Sequence, residues 1–457
     1  MSTLKITNPA DGSPLAEVAA DDAASVAAKA KRARRAQPAW QATSLAERSA
    51  AIARFRGAVG AEIESLARTL TQEVGKPLAQ SKNELNGFLG RIDFFLAEVA
   101  KTTAPETVFA DGAMTERIDH DPLGVVANIS AWNYPYFVGG NVFVPALLTG
   151  NAVVYKPSEF ATLTGQQIER LLHCAGIPAD VFMTVVGAGD VGAALLAQDV
   201  DGVFFTGSVA TGMKIAQACG PRMVRLQLEL GGKDPTYVAD DVDPGSAAES
   251  LADGAMYNTG QSCCSVERIY VHERVHDAFV ARFAATVRGF KVGDPLADGS
   301  YIGPLTRRPQ LDVLEAQVAD ALAKGATLLV GGKRVDRAGN WFEPTVLTNV
   351  DHTMAVMRDE SFGPIIGIQR VAGDDEALAL MNDTRYGLTA GMYTRDEARA
   401  AKLLAKVRAG TVYWNCCDRV SPRLPWSGRG DSGVGVTLST HGIRAFTQPR
   451  GWHLRSP

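Results

Sequence analysis

From Gly124 onward the chain alternates short β-branched runs with helical stretches, and that alternation leaves few folds open to it. "GVVANIS", "NAVVYKP", "FMTVVG", "GVFFTG" and "MVRLQLELGG" read as strands, with the helical "TLTGQQIERLLHCAG" and "DVGAALLAQD" between them. Strands separated by helices of that length imply right-handed crossovers and a parallel sheet. After Lys233 the alternation resumes. "VERIYVH", "ATLLVGG", "FEPTVLTNV", "PIIGIQRV", "LTAGMYT" and "GTVYWN" are expected as strands. "HDAFVARFAATVRGF" and "RDEARAAKLLAKVRAG" are expected as helices, the second closed by Gly410. The fold class is therefore α/β, with two α/β domains joined near residue 230. A cleft between domains is where a cofactor and a substrate would meet. The Ala-rich stretch 21–70 adds helix ahead of them.

Bulk properties exclude some functions. The 457 residues suit two or three domains, and 46% hydrophobic with 21% charged is ordinary for a globular chain. Forty-six basic residues scattered among 50 acidic ones leave no nucleic-acid footprint. The densest basic run, "KAKRARRAQPAW", reads as a solvated helix face. "MSTLKITNPADGSPL" has no basic region followed by an apolar one, so no secretory signal is expected. The most apolar stretch, "YFVGGNVFVPALLTGNAVVY", is broken by glycine, asparagine and proline, and no membrane span is expected. Six cysteines, four in adjacent pairs, read as free thiols of a cytoplasmic protein.

Several motifs carry chemistry. "VVGAGDVGAALL" and "FFTGSVATG" each join a strand to a helix through glycines, and either turn, or neither, holds a phosphate. In "RLQLELGGKDP", Glu229 is a buried general base or an ordinary partnered carboxylate at a hinge. "VHERVHDAF" has the H-E-x-x-H spacing, but His272 ends a strand, so a structural role is expected and no metal site. "YNTGQSCCSVER" supplies no local base for Cys263 or Cys264, and a bare cysteine pair reads as packing. "WNCCD" is read the same way.

Together these segments resemble the aldehyde dehydrogenase superfamily over nearly the whole chain. "ISAWNYPY" is similar to its oxyanion-asparagine segment, "YKPSE" to its adenosine-ribose segment and "FTGS" to its pyrophosphate turn. "LELGGK", "NTGQSC" and "ESFGP" are similar to its general-base, nucleophile and nicotinamide-ribose signatures, in the same order. The resemblance implies a Rossmann-like cofactor domain, a catalytic domain and a small oligomerisation β-element. It implies that Cys263 is the nucleophile, Glu229 the base and Asn133 the oxyanion donor. Cofactor contacts are implied for Ile129, Trp132, Lys156, Ser158, Glu159, Gly207, Ser208, Gly231, Glu360 and Phe362. "FTGS" then carries the pyrophosphate and "GAGDVG" does not. Cys264 is expected to point to the other face if the backbone is extended.

The resemblance further implies a cofactor domain at 1–108, 123–229 and 416–440, and a catalytic domain at 230–415. The oligomerisation element of a homodimer or homotetramer is expected at 109–122 and 441–457. Glu159 would repel a 2′-phosphate, so NAD is expected ahead of NADP. The substrate mouth is expected at Tyr134, Val138, Tyr257, Cys264 and the loop "CCDRVSPRLPW". There Arg419 or Arg423 either receives a carboxylated aldehyde or is a plain surface arginine. Two departures are visible: Val142 stands where many members carry a proton-relay lysine, and Ala131 replaces a proline. The expected product is a free acid. A CoA-acylating enzyme and a non-catalytic aldehyde-binding member are the alternatives, and Glu229 and the intact residue set argue against them in turn.

Overall fold

The computed structural model describes residues 2–417 and 419–455. Its first α/β unit is built on a six-stranded sheet. The strand order is Gly433–Val434, Arg225–Glu229, Gly202–Thr206, Val125–Ile129, Ala152–Lys156 and Phe182–Thr184. All neighbours are parallel except the short Gly433–Val434. Val125–Ile129 and Ala152–Lys156 are buried along their whole length, which is why they read as unbroken apolar runs. Helices Ala23–Ala42, Leu45–Ala61, Ile63–Val74 and Leu78–Thr102 precede this sheet. The first two begin with capping boxes, at Asp22 and Ser44.

The second unit has seven strands, in the order Thr327–Val330, Thr345–Thr348, Ile365–Val371, Val266–His272, Asp234–Val238, Thr389–Tyr393 and Thr411–Trp414. The stretch 230–233 runs directly from strand Arg225–Glu229 of one sheet into strand Asp234–Val238 of the other. A third, antiparallel sheet joins Thr447–Arg455, Met114–Pro122 and Glu106–Ala110, and much of it faces solvent. Among the described residues, no helix is long and apolar enough to cross a membrane.

Two local expectations are corrected. The helix of "RDEARAAKLLAKVRAG" spans only Glu397–Leu404 and is closed by Ala405, not by Gly410. Gly410 is instead pressed against another segment: a Cβ there would lie 1.6 Å from the Ser427 carbonyl oxygen. The basic run on helix Ala23–Ala42 is not simply solvated. Lys29 reaches Asp21 and the Thr184 carbonyl, each at 2.8 Å, and Arg34 reaches Asp201 at 2.6 Å. These contacts tie the helix to the first sheet at its edge strand Phe182–Thr184 and beside its inner strand Gly202–Thr206.

Candidate active site

The carboxyl ends of the parallel strands of the first sheet open on a cavity of about 770 Å³. Strand Val125–Ile129 brings Ile129 and, past its end, Trp132. Strand Ala152–Lys156 leads to Lys156, Ser158 and Glu159, and strand Gly202–Thr206 to Gly207 and Ser208. The central strand, Val125–Ile129, has an earlier-crossing neighbour on one side and a later one on the other, the reversal at which nucleotides bind in such sheets. Ser208 caps helix Val209–Cys219 by accepting from the Thr211 N–H, so the positive end of that helix borders the cavity. Gly207 has no room for a side chain, since a Cβ would lie 2.5 Å from the Phe205 ring. Burial holds the Lys156 ammonium below the usual lysine range, and its Nζ lies 3.9 Å from Glu159. A capped helix start, a buried ammonium and a carboxylate in one elongated space fit a dinucleotide. Gly189 and Gly192 of "GAGDVG" border the same cavity, but helix Gly189–Leu196 carries no side-chain cap.

Gly231, Glu360 and Phe362 stand outside that lining. Phe362 meets the Trp132 ring edge-on at 5.6 Å, and Glu360 Oε1 accepts the Gly232 N–H at 3.0 Å. A Cβ on Gly231 would lie 2.5 Å from the Glu360 carboxylate, and one on Gly232 2.9 Å from the Cys263 carbonyl oxygen. The paired glycines thus let the inter-sheet linker slip between two functional segments. Beneath them Lys233 and Glu267 form a buried ion pair at 2.7 Å. Glu267 also accepts the N–H groups of Ser361 and Phe362, which fixes the "ESFGP" turn. Burial, and next the Glu267 charge, push the Glu360 carboxyl up to about 8.

Cys263 is presented by a strained turn. Asn258, Thr259 and Gly260 are all left-handed, with φ of 54°, 58° and 68°. That conformation costs about 1–2 kcal/mol for a residue with a side chain. The surroundings hold it: Asn258 N–H donates to Gln80 at 2.9 Å, while Gln261 Oε1 accepts the Thr306 N–H at 2.9 Å. Cys263 and Glu229 line one cavity of about 740 Å³. Asn133 is outside that lining but tied to the turn, its Nδ2 donating to the Gln261 carbonyl at 3.1 Å. Glu229 Oε2 accepts the indole N–H of Trp426, and Oε1 has no hydrogen-bond partner among the described residues. Burial pushes the Glu229 carboxyl up to about 8, opposed by the Trp426 hydrogen bond.

Tyr134, Val138, Tyr257, Cys264 and Arg419 border the same cavity. The extended backbone invoked to turn Cys264 away is absent: residues 263–264 form a turn, and both line the cavity. Of the loop 416–426, Asp418 lies outside the described residues. His272 caps helix Glu273–Gly289 by accepting the Arg274 N–H, a structural use of that side chain.

Residues 1–451 match the family model described as the aldehyde dehydrogenase family. The chain belongs to the aldehyde dehydrogenase family. It is an oxidoreductase of the kind that acts on aldehydes. It is 35% identical to the 3,6-anhydro-alpha-L-galactose dehydrogenase of Streptomyces coelicolor, covering 99% of this chain and 93% of that protein. It is also 35% identical to the glutarate-semialdehyde dehydrogenase of Pseudomonas putida, over 98% of this chain and 93% of that one. Its fold superimposes on the crystal structure of an E. coli NADP dependent enzyme with a TM-score of 0.97 and 32% identity, covering 100% of this chain and 95% of the other.

Two residues of this dehydrogenase's cavity stand out among those that sequence reasoning missed. Trp426 was quoted only as the end of a loop, and nothing local announces its bond to Glu229. Arg91 left a signal: it interrupts helix Leu78–Thr102 beside the buried stripe of Leu85, Phe88, Ile92 and Phe95, where a charge is out of place. Val142, at the relay-lysine position, is buried in the core.

Proposed function

We propose that this dehydrogenase oxidises an aldehyde to the free carboxylic acid through a thioester on Cys263, as a homo-oligomer that prefers NAD. The observation that carries the hydrolytic step is Glu229 Oε1, buried without a partner among the described residues, on the cavity that Cys263 lines. A water held there is polarised for attack. In this reading the Cys263 thiolate adds to the carbonyl carbon, and the Asn133 amide and Cys263 backbone N–H donate to the oxyanion. Losing one such donor costs about 3–4 kcal/mol. The bound dinucleotide supplies the acceptor for the hydride that leaves that carbon. Glu229 then takes a proton as water oxygen adds to the thioester carbon, and the C–S bond breaks to release the acid.

Lys156 and Glu159 are assigned to the adenosine ribose and Glu360 to the nicotinamide ribose. One similar structure is named NADP dependent, but a carboxylate at Glu159 works against a 2′-phosphate in this chain. The names of the two similar dehydrogenases point to a neutral sugar and to a charged semialdehyde, so they do not choose the substrate. The exposed three-stranded sheet, with Phe109 and Leu454 outward, is assigned to subunit contact.

NADH formation across an aldehyde panel tests the reading. Cys263→Ala should abolish it, and Cys264→Ala should keep most of it; the reverse pattern overturns the nucleophile assignment. A strict requirement for added CoA overturns the hydrolytic step. In the same assay kcat/KM should favour NAD over NADP by about tenfold, or 1.4 kcal/mol, and a reversed ratio removes the cofactor preference alone.

A further inference from the structure

The cavity at Cys263 contains a buried cation to which the proposed mechanism assigns no role. Arg91 is 5% exposed and borders this cavity. Its guanidinium lies 3.6 Å from the centre of the Phe137 ring, and Nη1 donates to Asn141 Oδ1 at 2.9 Å. Among the described residues no carboxylate forms an ion pair with it. Glu84, the carboxylate that most favours its charge, is already engaged: it pairs with Lys76 and accepts the Tyr136 N–H at 2.9 Å. Burial lowers the Arg91 guanidinium to about 10, opposed by Glu84, Cys264 and Cys263, so it stays charged at neutral pH.

The other ionisable groups on the wall form no ion pair with it among the described residues. Asp253 accepts the Tyr301 hydroxyl, Arg419 and Arg423 add positive charge at the exposed rim, and burial keeps Glu229 largely neutral. A buried cation with no carboxylate in direct contact is costly to the fold, and an arriving anion offsets that cost. The planar guanidinium, steadied by a ring on one face and an amide at one edge, is built to take a carboxylate in a two-pronged contact.

We propose that Arg91 receives the far end of the substrate, and that the substrate is a short linear aldehyde ending in a carboxylate. This rests on the aldehyde-oxidising reading above. Between Pro135, next to the Asn133 segment, and Asn141, which steadies Arg91, the helix rises roughly 9 Å. Arg91 and Cys263 border the same cavity, so a substrate bound there can meet both.

Initial rates with glutarate semialdehyde and with pentanal, which has the same chain length without the charge, decide the matter. Wild-type kcat/KM should favour the charged aldehyde by about 30-fold, about 2 kcal/mol. Arg91→Met should collapse that ratio through the KM of the charged aldehyde, and Arg91→Lys should restore part of it. A wild-type ratio near one, or a ratio unmoved in Arg91→Met, overturns this assignment alone. The absence of both NADH and NADPH from every aldehyde overturns the function above and this assignment with it. Should Arg91→Met fail to fold, the wild-type enzyme decides: glutarate should inhibit pentanal oxidation competitively at concentrations about tenfold below the uncharged pentanamide, and equal inhibition overturns the assignment.

Discussion

Glu229 is subject to two opposing influences, burial that favours the acid and the Trp426 indole N–H that favours the carboxylate. Since it works as a base only when deprotonated, turnover limited by thioester hydrolysis should rise with pH and level off above about 8. Trp426→Phe removes the opposing influence and should move that rise upward by roughly one pH unit. Glu229→Gln should leave a first-turnover burst of NADH with a slowed steady state. A pH–rate profile that Trp426→Phe leaves in place would remove the indole from this role. The roles of Trp426 and Arg91 were illegible for a common reason, although Arg91 shows as a charge out of place in an apolar stripe. Each matters through a partner far away in sequence, and neither belongs to a short motif. Glu229 and Cys263 stood out only through the resemblance, because a glutamate before two glycines and a bare cysteine pair each had an ordinary reading.

Among the elements, helix Thr162–Cys174 is started by a residue from another helix. Glu73 accepts the N–H groups of Leu163 and Thr164, the latter at 2.9 Å, because Ala161 at the cap position offers no side-chain acceptor. Burial pushes the Glu73 carboxyl up to about 7 from an ordinary 4.5. A carboxyl raised on folding contributes stability that is fully present below about 4.5 and is lost as pH rises through about 7. Glu73→Gln should lower stability by about 1–2 kcal/mol through the lost acceptor. Its deficit in thermal unfolding should shrink between pH 5 and pH 8 as wild type loses its proton. A deficit that grows over that range would contradict the sign. The strands themselves were readable because buried parallel strands must be apolar on both faces and are bounded by glycine turns. The half-buried "MTERIDHDP" has no such pattern, so periodicity passed over it.

At the scale of the whole molecule, the exposed sheet of Glu106–Ala110, Met114–Pro122 and Thr447–Arg455 leaves Val108, Phe109, Trp452 and Leu454 at 57%, 42%, 37% and 43% exposure. Soluble monomers seldom leave that much apolar surface uncovered on one small sheet. Light scattering should give a multiple of the 48.5 kDa chain, and Phe109→Asp combined with Leu454→Asp should shift it toward one chain. A wild-type protein that is monomeric at micromolar concentration would end the assignment of this sheet to subunit contact. The two-domain plan was legible from the change at Lys233, where one run of strands ends and another begins. What periodicity could not convey is that the chain returns: Gly433–Val434 pairs with Arg225–Glu229, and Thr447–Arg455 with Met114–Pro122.

That return has a consequence during synthesis. A nascent chain leaving the ribosome must carry strand Met114–Pro122 with one side unpaired until Thr447–Arg455, more than 300 residues later, has been translated. Products of stalled or truncated translation therefore expose a bare backbone edge of nine residues, which favours capture by chaperones or aggregation over an independently surviving amino-terminal half.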